Sequence, residues 1–150
     1  EFDDNYFMSK AIDEAKIALS KGEVPIGAVI VADNKIIARA HNMVEALNDV
    51  TAHAEILAIT SASNYIGGKY LENCSIYVTL EPCQMCAGAL YWSRISKIYF
   101  GAEDKKGGAI LNGPRVFEKE NLKKVEVISH IEEEKTSNLL KKFFTSKRNN

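Results

Sequence analysis

The sequence predicts an α/β fold, and three observations carry that expectation. Helix-period and strand-type segments alternate along the chain, five strand-type runs are interleaved with four helical ones, and no internal repeat or low-complexity linker interrupts the order. With 150 residues, 46% of them hydrophobic, one globular domain spanning 1–150 can bury a core of its own and needs no disulfide staples.

Each element has a local reason. Asp3 or Asp4 can cap a first helix whose apolar positions Phe7, Met8, Ala11, Ile12, Ala15, Ala18 and Leu19 fall on one stripe, and Gly22 ends it. After Pro25, the runs 26–31 and 35–39 flank Asp33-Asn34, which marks a β-hairpin. A second helix opens at Thr51 or just before it and carries Ile56, Leu57 and Ile59 to about Ser63, with Gly67-Gly68 breaking the pattern. Residues 75–79 read as a third strand, 83–93 as a helix beginning directly after Pro82, and 97–100 as a fourth strand. A fifth strand fits 124–128. The last helix, from about Ile131, places Leu139, Leu140, Phe143 and Phe144 on one face that should pack on the sheet. The stretch 105–114 is the loosest of the chain; it follows a strand at the end where α/β folds place ligands, and reads either as a mobile substrate loop or as a flexible connection.

The chemistry concentrates in His53-Ala54-Glu55 and Pro82-Cys83-Gln84-Met85-Cys86. One imidazole and two thiolates are ligands that zinc prefers, and three protein ligands leave a fourth position for water, the composition of a catalytic rather than a structural zinc site. Both halves fall where the chain turns into a helix, so the partial positive charge of a helix N-terminus favours the thiolates. Cys83 and Cys86 are nearly one turn apart and can share a metal. Zinc brings the pKa of bound water to about 7, but a hydrolysis that uses that water also needs protons delivered to the group that leaves. Glu55, two residues from His53, can carry them without being a ligand; alone it would read as an ordinary acid at a helix start. A redox C-x-x-C would leave His53 and Glu55 unexplained. A structural zinc knot would need a fourth ligand, and His41, His130 and Cys74 lack ligand spacing to the pair. Cys74 lies in a strand-like segment and reads as a buried inert thiol.

Composition narrows the setting. No apolar run is long enough for a membrane span and no signal-peptide pattern opens the chain, so a cytoplasmic location is expected. A formal net charge of −1 gives no global attraction to nucleic acid, so RNA binding would need a local patch. Glu132, Glu133 and Glu134 precede Lys135, Lys141, Lys142, Lys147 and Arg148. These bases either complement the dipole of a terminal helix or contact phosphates.

The pattern His-x-Glu followed by Pro-Cys-x-x-Cys resembles that of the zinc-dependent nucleobase deaminases. Residues 48–56, 77–89 and 99–104, together with Val24-Pro25-Ile26-Gly27-Ala28-Val29 and Leu139-Leu140-Lys141-Lys142-Phe143-Phe144, resemble the bacterial tRNA adenosine deaminases of the cytidine deaminase superfamily. The resemblance implies a three-layer α/β/α cytidine deaminase-like fold with a five-stranded mixed sheet, a homodimer, one Zn2+ per chain, and conversion of adenosine to inosine in a tRNA anticodon loop. It implies His53, Cys83 and Cys86 as metal ligands, Glu55 as the catalytic residue, and Asn42 and Ala54 as substrate-binding residues. Asn42 alone also reads as a turn residue after the second strand; its amide offers a donor and an acceptor to a purine edge. Asp104 falls where the family approaches the RNA backbone. Residues 107–115 depart from the tRNA enzymes' pattern, and deaminases of free bases or nucleosides (guanine, cytosine or cytidine) share the metal motif, which keeps that substrate class as the alternative. A catalytically silent RNA-binding module is disfavoured because the glutamate and all three ligands are present.

Overall fold

The computed structural model describes residues 1–122 and 124–148. Its elements run α1 (Asp4–Ser20), β1 (Gly27–Ala32), β2 (Lys35–His41), α2 (Val44–Leu47), α3 (Ala54–Ile66), β3 (Cys74–Leu80), α4 (Gln84–Trp92), β4 (Lys97–Ala102), β5 (Glu126–Ile128) and α5 (Glu133–Arg148). Two 3-10 turns, Val116–Glu118 and Glu120–Leu122, lie between β4 and β5. The sheet has the order β2-β1-β3-β4-β5 and is mixed, with β2, β1 and β3 running antiparallel in turn and β3, β4 and β5 parallel.

The period-two alternation of strands separates two cores. Ala28, Ile30, Ile76, Val78, Ile98 and Phe100 face Ala54, Ala58 and Ala62 of α3 and Ala87 and Leu90 of α4. Val29, Val31, Tyr77 and Tyr99 face the other way, onto Phe7, Met8, Ala11 and Ile12 of α1, with Leu139 of α5 at the margin. The result is the expected three-layer α/β/α arrangement. Alanines dominate the packing face of α3, so the helix lies close against the sheet. At the other face, a Cβ on Gly27 would stand 2.0 Å from the carbonyl oxygen of Ala11, so only glycine lets β1 and α1 approach this closely.

Asp3 caps α1 by accepting the N–H of Tyr6 at 2.9 Å. Asp33 and Asn34 both have positive φ, 51° and 60°, the requirement of a tight hairpin turn whose twist matches its strands. Three expectations need correction. α3 begins at Ala54, not near Thr51, because Thr51 belongs to a turn closed by Asp49, whose carboxylate accepts both its N–H and its hydroxyl. The single-turn α2 was not expected; its first N–H groups, those of Glu45 and Ala46, donate to the buried carboxylate of Glu23, a partner some twenty residues away in sequence. In α5 the packing face carries Thr136 and Phe143, while Phe144, one residue round the helix, is 51% exposed.

Among the described residues no helix is long and apolar enough to cross a membrane.

Candidate active site

Two helix starts meet at one place. α3 and α4 lie on the same face of the sheet, and the residue preceding each, His53 and Cys83, is extended, with φ −76°, ψ 152° and φ −72°, ψ 175°. Both therefore stand one position outside the helical turns in which the sequence placed them. A side chain at this position commonly caps the free N–H groups of its helix. Neither closes such a hydrogen bond; imidazole and thiol turn toward each other instead. His53 Nδ1 lies 3.7 Å from Cys83 Sγ and 3.5 Å from Cys86 Sγ. Tetrahedral zinc, bonded at about 2.1 Å to nitrogen and 2.3 Å to sulfur, would separate such atoms by about 3.6 Å. The donor types and their spacing thus fit that metal, with Nδ1 as the imidazole atom that faces it. Among the described residues this is the one cluster of three His, Cys, Asp or Glu side chains with metal-holding spacing.

The thiols are unequal. A hydrogen bond from Cys86 and the backbone N–H groups of Cys86 and Met85 hold the Cys83 thiol down at about 5 against burial, and His53 adds to the effect. The Cys86 thiol is pushed up, first by Cys83 and then by burial and Glu55. Two adjacent sulfurs cannot both ionise easily without a cation between them. Cys74 is buried, its thiol pushed up by that burial, as an inert strand cysteine should be.

Glu55 sits in the first turn of α3 and is only 4% exposed. Burial pushes its carboxyl up to about 7, outweighing its own backbone N–H; Cys83 pushes the same way and His53 against it. Among the described residues two buried side-chain polar atoms lack a hydrogen-bond partner, His41 Nε2 and Glu55 Oε1. The other nitrogen of His41 meets Glu14 at 3.0 Å. Glu55 Oε1 is the one that lies beside the His–Cys trio, and a buried acceptor without a donor costs about 1–3 kcal/mol. An arrangement of this kind persists where the atom has work to do with something that enters the site.

Asn42 is buried at the end of β2, and its Oδ1 accepts the N–H of Ala54 at 2.8 Å. It thereby supplies the cap that His53 does not. Because that N–H can only donate, the carbonyl oxygen must face α3, and the amide NH2 is the part left to meet a ligand. Ala54 is fully buried with its N–H committed, so it stands behind Asn42 as part of the wall and presents no free donor.

Sequence reasoning missed a third component. The carboxylate of Glu81, 2% exposed, accepts the N–H groups of Asp104, Ile110, Leu111 and Asn112 at 2.9–3.1 Å and the side-chain amide of Asn112 at 2.7 Å. The stretch 105–114 is therefore anchored at 108–112: Ala109 and Ile110 are buried, and Ala109 N–H donates to Pro82 O. The signal available was an acid between a buried strand and a proline, a place where an unpaired charge would be costly. A groove of about 940 Å³ is lined by Val24, Ile26 and Leu80, by Leu140 and Phe144 of α5, and by charges of both signs, Lys105 and Lys106 with Glu103, Asp104 and Glu133. His130, at 2.9 Å from Glu103, belongs to the connection into α5 and not to the trio.

The chain matches the MafB19-like deaminase family over residues 2–148. It is 48% identical to a tRNA-specific adenosine deaminase of Aquifex aeolicus (strain VF5) over 145 residues, 97% of this chain and 96% of that one. A solved structure from work on A-to-I editing by tRNA:A34 deaminases at the wobble position of transfer RNA superposes with a TM-score of 0.87 at 45% identity, covering 90% of this chain and 99% of that one. A guanine deaminase of Bacillus subtilis is 41% identical with a TM-score of 0.66, covering 68% of this chain and 66% of that one. Similarity at these levels over nearly the whole length shows that the chain is a MafB19-like deaminase and belongs to the tRNA-specific adenosine deaminase family.

Proposed function

We propose that this chain works as a single-domain, zinc-dependent hydrolytic deaminase that converts adenosine to inosine at the wobble position of tRNA. The observation that carries the reading is the buried, unpartnered oxygen of Glu55 beside the trio of His53 Nδ1, Cys83 Sγ and Cys86 Sγ. These three atoms would hold one zinc ion per chain, which when bound supplies Lewis acidity and brings the pKa of water to about 7. Glu55 does the proton work. Its buried carboxyl takes one proton from the attacking water and passes it to the ring nitrogen beside C6, then moves the proton of the new C6 hydroxyl to the departing amine. Water adds at C6, the C6–N bond breaks, and ammonia leaves. Asn42 orients the base through its NH2, the oxygen being held by Ala54.

The tRNA part of the proposal rests on the nearly full-length similarity to named tRNA enzymes, with a groove lined by the turn after β4 and by α5 as the candidate RNA surface. Its apolar floor and exposed Phe144 suit a splayed base, and Lys105 and Lys106 suit phosphates. Exposed Met85 and Trp92 on α4 and Tyr65 near the end of α3 support pairing of two copies. Thiolate ligands fit a reducing, cytoplasmic setting. The likeness to a guanine deaminase keeps a second reading, deamination of a free base. Ammonia release measured side by side on guanine, cytosine, adenosine and an anticodon stem-loop with adenosine at the wobble position decides between them. Turnover of the stem-loop alone is the expected result; turnover of a free base without it gives the second reading.

A further inference from the structure

Glu81 does more than satisfy its own charge. Oε2 accepts three successive N–H groups, those of Ile110, Leu111 and Asn112, and Oε1 accepts Asp104 N–H and Asn112 Nδ2. The anchoring continues outward, because the carboxylate of Asp104 accepts the N–H groups of Lys106 and Gly107 at 3.2 and 2.9 Å. Inward, the same loop pairs with the start of α4 through Ala109 N–H to Pro82 O and a bridge between Cys83 and Gly108. Gly108 makes room for the arrangement: a Cβ there would lie 2.4 Å from the Glu81 carboxyl carbon and 2.5 Å from Asp104 O.

We propose that Glu81 is a positioning residue, whose buried carboxylate, directly after β3, sets the turn at 104–107 that lines the groove against α5 proposed above as the RNA surface. The proposal rests on the reading of this site as a deaminase that takes an RNA loop. Glu81 touches none of the three ligand atoms, and the loop's own pairing with Pro82 and Cys83 stays in place without it, so the role assigned to Glu81 is substrate capture with the metal trio retained. Charge is essential to the role. In Glu81→Gln the amide NH2, in either orientation, faces at least two N–H donors, so the clamp opens although volume is preserved.

The test uses the zinc-loaded protein with three variants: Glu81→Gln, Gly108→Ala, whose Cβ crowds both the carboxylate and the backbone of Asp104 while keeping the charge, and the milder Asn112→Ala. Hydrogen exchange should accelerate at the amides of residues 104 and 110–112 in Glu81→Gln, with the sheet amides unchanged and zinc still at one per chain. KM for the anticodon stem-loop should rise about tenfold while kcat moves less than about threefold, the pattern of weakened ground-state binding. Gly108→Ala should reproduce both effects. Asn112→Ala, which keeps four of the five donors, should show the same changes in smaller measure even if the other two fold poorly. Unchanged exchange in the loop, loss of zinc, or a fall confined to kcat would overturn the proposal. A wild-type protein inactive on the stem-loop would overturn the RNA reading instead, and the exchange experiment would still decide whether Glu81 holds the loop.

Discussion

Asn42 Oδ1 accepts the N–H of Ala54 at 2.8 Å, so the helix that carries Glu55 is capped from the end of β2 and not by the residue in front of it. The side chain in front, His53, is thereby released toward the two cysteines. One hydrogen bond thus couples the amide proposed to read the base to the carboxyl proposed to carry the proton. Substitution can separate the two roles. Asn42→Ala should lose about 1 kcal/mol of stability with the cap. Asn42→Asp keeps an acceptor for Ala54 but removes the NH2 donor. The cap should therefore survive in the aspartate variant, with the thermal unfolding temperature falling as pH rises and the buried carboxylate ionises, while kcat/KM falls by the equivalent of about 1–3 kcal/mol, the cost of an unpaired buried group. Equal activity of Asn42→Asp and wild type would leave Asn42 as a cap only.

Glu55 gives a pH signature. Its folded-state carboxyl sits at about 7 against an ordinary 4.5. Below 4.5 the group is protonated in folded and unfolded chains alike. As pH rises from there to 7, the unfolded chain ionises first, so this group lowers the stability of the metal-free fold, by about 3 kcal/mol in all. Cys83, held at about 5 against an ordinary 9, adds stability over the same window in both proteins, so the signature is the difference: chelator-stripped wild type should lose stability relative to Glu55→Gln as pH rises from 4.5 to 7. Parallel curves for the two proteins would place the carboxyl at its ordinary value.

Phe143 and Phe144 are neighbours with opposite assignments. Phe143 is 8% exposed, and its replacement by alanine should cost about 3 kcal/mol or more of stability. Phe144 is 51% exposed and lines the groove, so Phe144→Ala should leave stability within about 0.5 kcal/mol. If a base stacks there, stem-loop affinity should drop by about 1–3 kcal/mol. Equal effects of the two substitutions on folding would contradict the orientation of α5.

Lys141, Lys142, Lys147 and Arg148 are all exposed on α5. Replacing them with glutamine spares Phe143 and should leave thermal stability and zinc content nearly unchanged. Every phosphate that the substitutions release should flatten the slope of log affinity against log salt by about 0.7. An unchanged slope would show these bases to be a solvated helix end that serves the dipole.

The sheet, the four longer helices and the trio were legible because each is written in local pattern. The apolar runs of β1, β3 and β4 and the turn residues around them marked strands, and the stripe from Phe7 to Leu19 marked α1. What stayed hidden depends on partners distant in sequence. α2 exists because Glu23 reaches its N–H groups, and the ordered loop after β4 exists because Glu81 does. Gly107-Gly108 reads as looseness in one dimension and as clearance for a carboxylate in three. Phe144 was misplaced because its step of about 100° from Phe143 carries it off a narrow packing face. Both expectations about Asn42 proved compatible, since its oxygen serves the turn into α3 and its nitrogen is left over.

The proposed chemistry depends on a division of labour: His53, Cys83 and Cys86 hold the metal, and Glu55 moves protons without holding it. Zinc content and stem-loop turnover measured together on Glu55→Ala separate the two jobs in one experiment. About one zinc per chain with turnover abolished is the expected outcome, while Cys83→Ala and His53→Ala lose metal and activity together. An empty metal site in Glu55→Ala, or turnover that survives the substitution, would refute the division.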